Sequence, residues 1–397
     1  MMFETLTAPE ADKIIRLMGI FAADPRPEKI DLGVGVYRNG QGQTPIMAAV
    51  KDAERRIWDA QNSKSYVSLA GDRAYLEAVE ELLFSTRGAK ATIATPGGTG
   101  ALRQCFEALK YLRPNLTVWL PEPTWPNHAS ILRYLGLQVQ TYRFRDKATG
   151  GLDHAGLMAD LAQVAQGDAV VIHGCCHNPT GIEPTTDTWR YIAVTLAKRG
   201  ALPVIDMAYL GFGSGIKQDR AGLDMISAEC PEVLVGFSAS KSFGLYRDRV
   251  GAVLAQCHSP ATQSQMQGLL TWLNRQNYAF PPDHGARVVQ VILDDPKLRA
   301  NWVAELSAMR HEIDANRQCF ADDLRQHQMG RLADQIAAQR GMFSLLGLSP
   351  DDVRQLRETR GIYLVEDSRI NLAAMTPTAS RIVAKAISTL AQAGQSE

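Results

Sequence analysis

VLVGFSASKSFGLYRDRVGAVLA, residues 233–255, sets a polar, glycine-broken loop between two short apolar runs. VLVGF (233–237) and RVGAVLA (249–255) have the length and β-branched content of buried strands. Working outward, four more such runs precede them: ATIAT (91–95), LTVWL (116–120), AVVIHG (169–174) and ALPVID (201–206). Longer helix-like stretches lie between. This alternation predicts an α/β fold, a mostly parallel sheet with helices on both faces. In such sheets ligands gather at the carboxyl ends of the strands. The loops found there, TPGGTG (95–100), PEPTWPNH (121–128), CCHNPTG (175–181), DMAYLGFG (206–213) and SASKSFG (238–244), are all rich in polar or glycine residues. Five loops on one rim point to a single site.

Composition narrows the partners. The chain has 397 residues, 45% hydrophobic and 21% charged, long enough for more than one domain and a sizeable core. Its 42 basic and 42 acidic residues cancel, so no general field attracts a polyanion and nucleic acid is not expected. No apolar run approaches the ~20 residues of a membrane helix, and the opening MMFETLTAPEADK is too charged for a secretory signal. A cytoplasmic location is expected. Six scattered cysteines (Cys105, Cys175, Cys176, Cys230, Cys257, Cys319) read as reduced, mostly buried small hydrophobes. His173 and His177 sit among them without a CxxC or HExxH pattern, so no metal is expected.

After about Arg310 the pattern changes to long helical segments, 311–328 and 351–361, with short strands GMFSLLGL, GIYLV and RINLAA, which reads as a smaller α+β unit. The glycine-rich stretch PEKIDLGVGVYRNGQGQTP (27–45) suits either unit, or a place across a cleft between them.

Lys241 is the pivotal side chain. Ser238, Ser240 and Arg249 surround it with groups suited to a phosphate, and an amine beside an anion site is what covalent capture of a phosphate-bearing aldehyde requires. A solvated surface lysine is the commoner fate of the type. Gly97, Gly98, Thr99 and Gly100 lie between a strand and an amphipathic helix and form an anion cradle, although a plain turn is equally consistent with them. Their spacing is neither a dinucleotide fingerprint nor a P-loop. Asp206 ends a strand, and Tyr209 is expected one helical turn later at the same rim. A carboxylate there suits a pyridinium nitrogen; alone, it would read as a helix cap. Asn178 lies in a turn before Pro179, and Trp125 and His128 lie in an aromatic and polar loop. Arg369 and Arg275 are candidate forks for carboxylates.

In combination these motifs are specific. HGCCHNPTG, DMAY, SASKSFGLYRDRVGA and SRINLAAM, in this order, resemble the class I aminotransferases of the aspartate and aromatic group, with DLGVGVYRNGQGQTP, TPGGTGALR, PEPTWPNH and GMFSLLGL in register from about Asp31 to Met375. The resemblance implies a pyridoxal 5'-phosphate enzyme of fold type I. A large domain (45–309) would carry a mostly parallel seven-stranded sheet, and both chain ends (1–44 and 310–397) would form a smaller α+β domain. It further implies a homodimer with shared sites, amino acid and 2-oxo acid substrates, and ping-pong kinetics.

The resemblance also assigns roles. Lys241 would bind the cofactor aldehyde and shuttle the substrate's α-proton. Asp206, supported through His128 and His173, would pair with the ring nitrogen, and Tyr209 and Asn178 with the ring hydroxyl oxygen. Gly98, Thr99, Ser238 and Arg249 would hold the phosphate, joined by Tyr66 from the neighbouring subunit. Arg369 would clamp the α-carboxylate, Trp125 would cover the ring, and Gly35 would line the entrance. Arg275, crossing the interface, would read a distal carboxylate.

One departure bears on the substrate. Ala279 and Phe280 follow Arg275 where the group carries polar residues, one of which helps hold the distal arginine. Phe280 is expected to leave Arg275 less tethered, so that phenylalanine and tyrosine are accepted beside aspartate and glutamate. Arg247 also differs from the group and has no account. A strict aspartate aminotransferase, a lyase or decarboxylase on the same fold and a non-catalytic binding protein are the rivals; the glycine spacing disfavours a nicotinamide dehydrogenase.

Overall fold

The protein is described by a computed structural model covering residues 2–7, 13–86 and 88–393. The chain ends assigned to the smaller unit therefore include residues 1, 8–12 and 394–397, outside those described. After the short strand β1 (Ile30–Asp31) come β2 (Lys90–Pro96), β3 (Thr117–Glu122), β4 (Gln138–Arg143), β5 (Ala169–His173), β6 (Leu202–Met207), β7 (Val233–Ser238) and β8 (Val250–Gln256). Three short strands follow: β9 (Phe343–Leu345), β10 (Ile362–Tyr363) and β11 (Arg369–Asn371).

Strands β2 to β8 form one seven-stranded sheet in the order β2-β8-β7-β6-β5-β3-β4. Five of them, β4, β3, β5, β6 and β7, pair in parallel, whereas β8 is antiparallel to both β7 and β2. Every residue of β5 and β7 is buried, as expected of strands covered on both faces. Successive residues serve opposite cores: Val170 and Ile172 join Ile205 and Val235 on one side, while Ala169 and Val171 join Val204 and Leu234 on the other.

The strand missing from the sequence reading is β4, QVQTYR. It is the sheet edge, and only Tyr142 of its six residues is buried, so it shows no apolar run. Polar edges are invisible to a search for buried strands.

A third apolar cluster lies apart from the sheet, built from Leu32, Phe320, Leu324, Ile336, Leu356, Ile370 and Val383. Around it β1 pairs in parallel with β10, and β9 antiparallel with β11. The expected helical segment near residue 311 is the second half of one helix, Pro296–Gln326, that runs unbroken through the 309/310 boundary. No proline or glycine follows Pro296 to stop it. Asp295 caps its start, accepting from the backbone N–H groups of Lys297 and Leu298, both at 2.9 Å. Among the described residues no helix is long and apolar enough to cross a membrane.

This helix also braces the Lys241 turn. Trp302 is fully buried, stacks on Phe243 at 4.4 Å with the rings 6° apart, and donates from Nε1 to the Ser242 carbonyl at 2.7 Å. Replacing Trp302 by alanine should cost about 3–5 kcal/mol through the cavity it opens. A melting temperature equal to the parent's would show that the stack carries no stability.

Candidate active site

The sheet's carboxyl rim collects the side chains. Gly98 and Thr99 begin the helix after β2, Trp125 stands before the helix that follows β3, and Asn178 lies in the loop after β5. Asp206 is within β6, Ser238 ends β7, and Lys241 is in the turn beyond it. Arg249 reaches the same rim for the opposite reason: it immediately precedes β8, whose start faces the rim because the strand is antiparallel. Arg369 opens β11 and Gly35 lies in the loop after β1, so both come from elements outside the sheet. All of these, with Tyr209, line one cleft.

The segment after Asp206 differs from expectation. Residues 208–215 form a bend and turns, and the next helix is Ile216–Asp219, so Tyr209 is not one helical turn along and Asp206 caps nothing. Glycines at 211, 213 and 215 keep this segment irregular.

Electrostatics select the amine. Burial pushes the Lys241 ammonium down to about 8; Asp206 opposes this, and the Arg249 and Arg369 guanidiniums reinforce it. Lys241 Nζ sits 5.0 Å from the Tyr209 ring centre. Burial would raise the Asp206 carboxyl, but the hydrogen bond with His128 and the electrostatic influence of His128, His173 and Lys241 outweigh it and hold the group below the usual carboxylate range. His128 Nε2 lies 3.2 Å from Asp206 Oδ2, and His173 Nδ1 lies 4.0 Å from the same oxygen. Burial, then the neighbouring His128, pushes His173 down to about 3, so it is a neutral ring.

Thr124 was not singled out in the sequence, yet its hydroxyl joins these rings, 2.8 Å from His128 Nδ1 and 3.1 Å from His173 Nε2. Nothing in PEPTWPNH distinguishes this threonine from a loop residue. Tyr246 and Phe343 also line the cleft unannounced. Tyr246 accepts from the Tyr37 N–H at 3.1 Å, tying the Gly35 loop to the Lys241 loop. Phe343 lies under the Arg369 guanidinium at 4.4 Å, and its ring explains Gly35: a Cβ there would meet Phe343 Cζ at 2.9 Å.

Asn178 links the two sides of the cleft. Its Nδ2 donates to the Tyr209 hydroxyl at 3.3 Å, and its Oδ1 accepts from Arg369 at 3.2 Å. Arg369 also donates to the Gly33 carbonyl at 2.9 Å.

The residues fit an aldehyde carrying a phosphate and a pyridine nitrogen. Gly97 has a φ of 75°, and a Cβ on it would meet the Arg249 guanidinium at 2.5 Å; one on Gly98 would meet Ser238 Cβ at 2.7 Å. Bare glycines therefore leave a pocket between a helix N-terminus, a serine and an arginine, which is an anion cradle. Lys241 lies beside it, and ionised Asp206 completes the charge pattern.

Tyr66 and Arg275 do not line this cleft. Tyr66 is 82% exposed and its ring stacks on Phe280. Arg275 is exposed, and its side chain makes no hydrogen bond or ion pair with the described residues.

Behind the cleft, Cys175, Cys176 and Asp219 bring potential ligand atoms within 4.8 Å of one another. The Asp219 oxygens are already occupied, accepting from the backbone N–H groups of Gly211, Gly213 and Ser214 at 2.8, 2.9 and 2.6 Å. Burial pushes the Cys176 thiol well above its ordinary value. Protonated thiols and a spoken-for carboxylate make this a packing cluster.

Comparison with known proteins accords with this chemistry. The family model for class I and II aminotransferases matches residues 27–387. The aromatic-amino-acid aminotransferase of Paracoccus denitrificans is 49% identical over 96% of this chain and 97% of its own. The aspartate aminotransferase of Escherichia coli (strain K12) is 41% identical over 95% and 96%. A solved aromatic-amino-acid aminotransferase from Burkholderia pseudomallei, covalently bound to pyridoxal phosphate, superposes with a TM-score of 0.95 at 37% identity over 98% of this chain and 99% of that one. The chain belongs to the class I and II aminotransferases, fold type I enzymes that work with pyridoxal phosphate.

Proposed function

We propose that this aminotransferase takes amino groups from phenylalanine, tyrosine and aspartate and passes them to 2-oxoglutarate in a ping-pong cycle, with two copies of the chain sharing their sites. The observation that carries the reading is the split of the expected residues. One cleft holds what a cofactor and an α-carboxylate require, while Tyr66 and Arg275 face outward, available to a second copy. Relatives named for aromatic amino acids and for aspartate support both substrate classes.

Pyridoxal phosphate supplies the electron sink for the pair left behind when an amino acid loses its α-proton. Gly98, Thr99, Ser238 and Arg249 hold its phosphate, Trp125 covers its ring, and Tyr209 with Asn178 binds its hydroxyl oxygen. Asp206 keeps the ring nitrogen protonated, with His128, Thr124 and His173 holding the carboxylate ionised and in place. Arg369 receives the substrate α-carboxylate in its fork, aimed by Asn178 and Phe343. Lys241 Nζ, when free, would take the substrate's α-proton and hand it on within the cleft; an ordinary lysine would stay charged at neutral pH and do neither.

Arg275 of the second copy reads a distal carboxylate. With no side-chain partner among the described residues it is able to swing aside for an aromatic ring, and Phe280 supplies no polar tether to prevent this. Chain segments 45–309, and 1–44 with 310–397, are read as the two domains, apart from the residues outside those described. Six free cysteines, five of them buried, fit a reducing cytoplasm.

Half-reactions with single donors test the substrate reading. Phenylalanine and tyrosine should show kcat/KM within about 10²-fold of aspartate. Arg275→Leu should lower the aspartate value by about 10²-fold and leave phenylalanine nearly unchanged, because only a distal carboxylate loses its partner. Equal losses for both donors, or no turnover of the aromatic ones, would sink the dual-specificity reading.

Lys241 sets a pH dependence. Its amine is nucleophilic only when neutral, and burial moves that change down to about 8. Rebinding of pyridoxal phosphate by the stripped protein, followed by absorbance, should speed up as pH rises, with a midpoint near 8. A rate still climbing past pH ~10, as for an ordinary lysine, would contradict the assignment.

A further inference from the structure

Tyr66 and Phe280 come from irregular segments more than 200 residues apart in the sequence, and their rings stack with centroids 4.5 Å apart and planes 15° apart. Tyr66 is 82% exposed, so little else restrains its ring. Phe280 offers it a rigid platform. Ala279 before it holds a left-handed φ of 63°, the Phe280 N–H donates to the Tyr278 carbonyl at 2.8 Å, and Pro281 and Pro282 follow.

Both segments are fastened to the same buried amide. Tyr278 donates its hydroxyl to Asn274 Oδ1 and accepts from Gln104 Nε2 at 3.3 Å. Asn274, fully buried in the helix Pro260–Asn277, donates from Nδ2 to the Leu69 carbonyl at 2.9 Å and the Ala94 carbonyl at 3.1 Å. Leu69 lies three residues from Tyr66, so one side chain sets the spacing of the two loops whose rings then meet.

We propose that Phe280 is a positioning residue for Tyr66: the stack presets the phenol in the direction from which it hydrogen-bonds the cofactor phosphate of a second copy. This rests on the reading that two copies share their sites. A flexible exposed tyrosine loses rotamer freedom each time it engages a ligand, whereas a stacked one has lost it on folding. The benefit of the stack is therefore felt as cofactor retention. A polar residue at 280 would leave the phenol to search.

The test measures how fast pyridoxal phosphate leaves the holoenzyme after dilution into an aldehyde scavenger, with oligomeric state checked by light scattering. Four proteins form a cycle: the parent, Phe280→Leu, Tyr66→Phe and the double variant. Phe280→Leu should release cofactor roughly two- to tenfold faster, the worth of one aromatic pair. Phe280→Tyr, which keeps a ring face, should match the parent. In the Tyr66→Phe background, which lacks the hydroxyl, Phe280→Leu should add nothing. Equal acceleration by Phe280→Leu in both backgrounds, or none in either, overturns the proposal while leaving shared sites intact. No acceleration by Tyr66→Phe itself overturns the shared-site reading, and this proposal with it. Phe280→Met, bulky without a ring, replaces the leucine variant if that one loses its subunit pairing.

Discussion

A primary amine is half-buried at the carboxyl rim of a sheet, near a carboxylate that is buried. Desolvation makes Lys241 acidic enough to lose its proton near neutrality, and Asp206 limits how far that goes. Two guanidiniums, Arg249 and Arg369, add to the effect from opposite sides of the cleft. Each would destabilise an isolated ammonium, and each provides a fork for an anion the cleft is shaped to hold. Much of the surrounding architecture keeps these four groups at working separation. Trp302 and Ser242 brace the lysine turn, with the Ser242 hydroxyl donating to the Leu210 carbonyl at 2.7 Å.

The sheet's one reversal of direction matters for this arrangement. Six strands running one way deliver their carboxyl ends to the rim, but Arg249 belongs to the amino end of a strand. Only because β8 runs antiparallel between β7 and β2 does that end fall beside Gly98 and Ser238. The cradle is then closed by absence: glycines at 97 and 98 let a guanidinium and a serine approach a helix start where any side chain would collide. Across the cleft, Asn178 uses donor and acceptor at once, so the Tyr209 hydroxyl and the Arg369 guanidinium share one amide.

Asp206 shows how a buried charge is kept. His128, Thr124 and His173 surround one carboxylate with hydrogen-bonding groups that are buried or half-buried. Removing such a set from water is costly unless each polar atom finds a partner. The same rule separates this network from the Cys175, Cys176 and Asp219 cluster, where backbone N–H groups already satisfy the carboxylate and no charge is left to use.

Much was legible in the chain. Short apolar runs separated by helical stretches dictated the α/β sheet, since strands buried on both faces must be continuously apolar. The carboxyl ends of the strands and the loops after them carried Asp206, Lys241, Tyr209 and the glycine cradle because that rim can hold polar groups without disturbing the core. The edge strand β4 went unread because an edge needs no apolar signature, and the unbroken helix through residue 310 because nothing in its sequence marks a boundary. Thr124, Tyr246 and Phe343 carry no local sign of their place; a hydroxyl between two imidazoles and a ring under a guanidinium exist only once distant segments meet. Residue types and their order thus determined which chemistry was on offer. Folding alone decided which groups share a dielectric, and so which lysine loses its proton and which carboxylate keeps its charge.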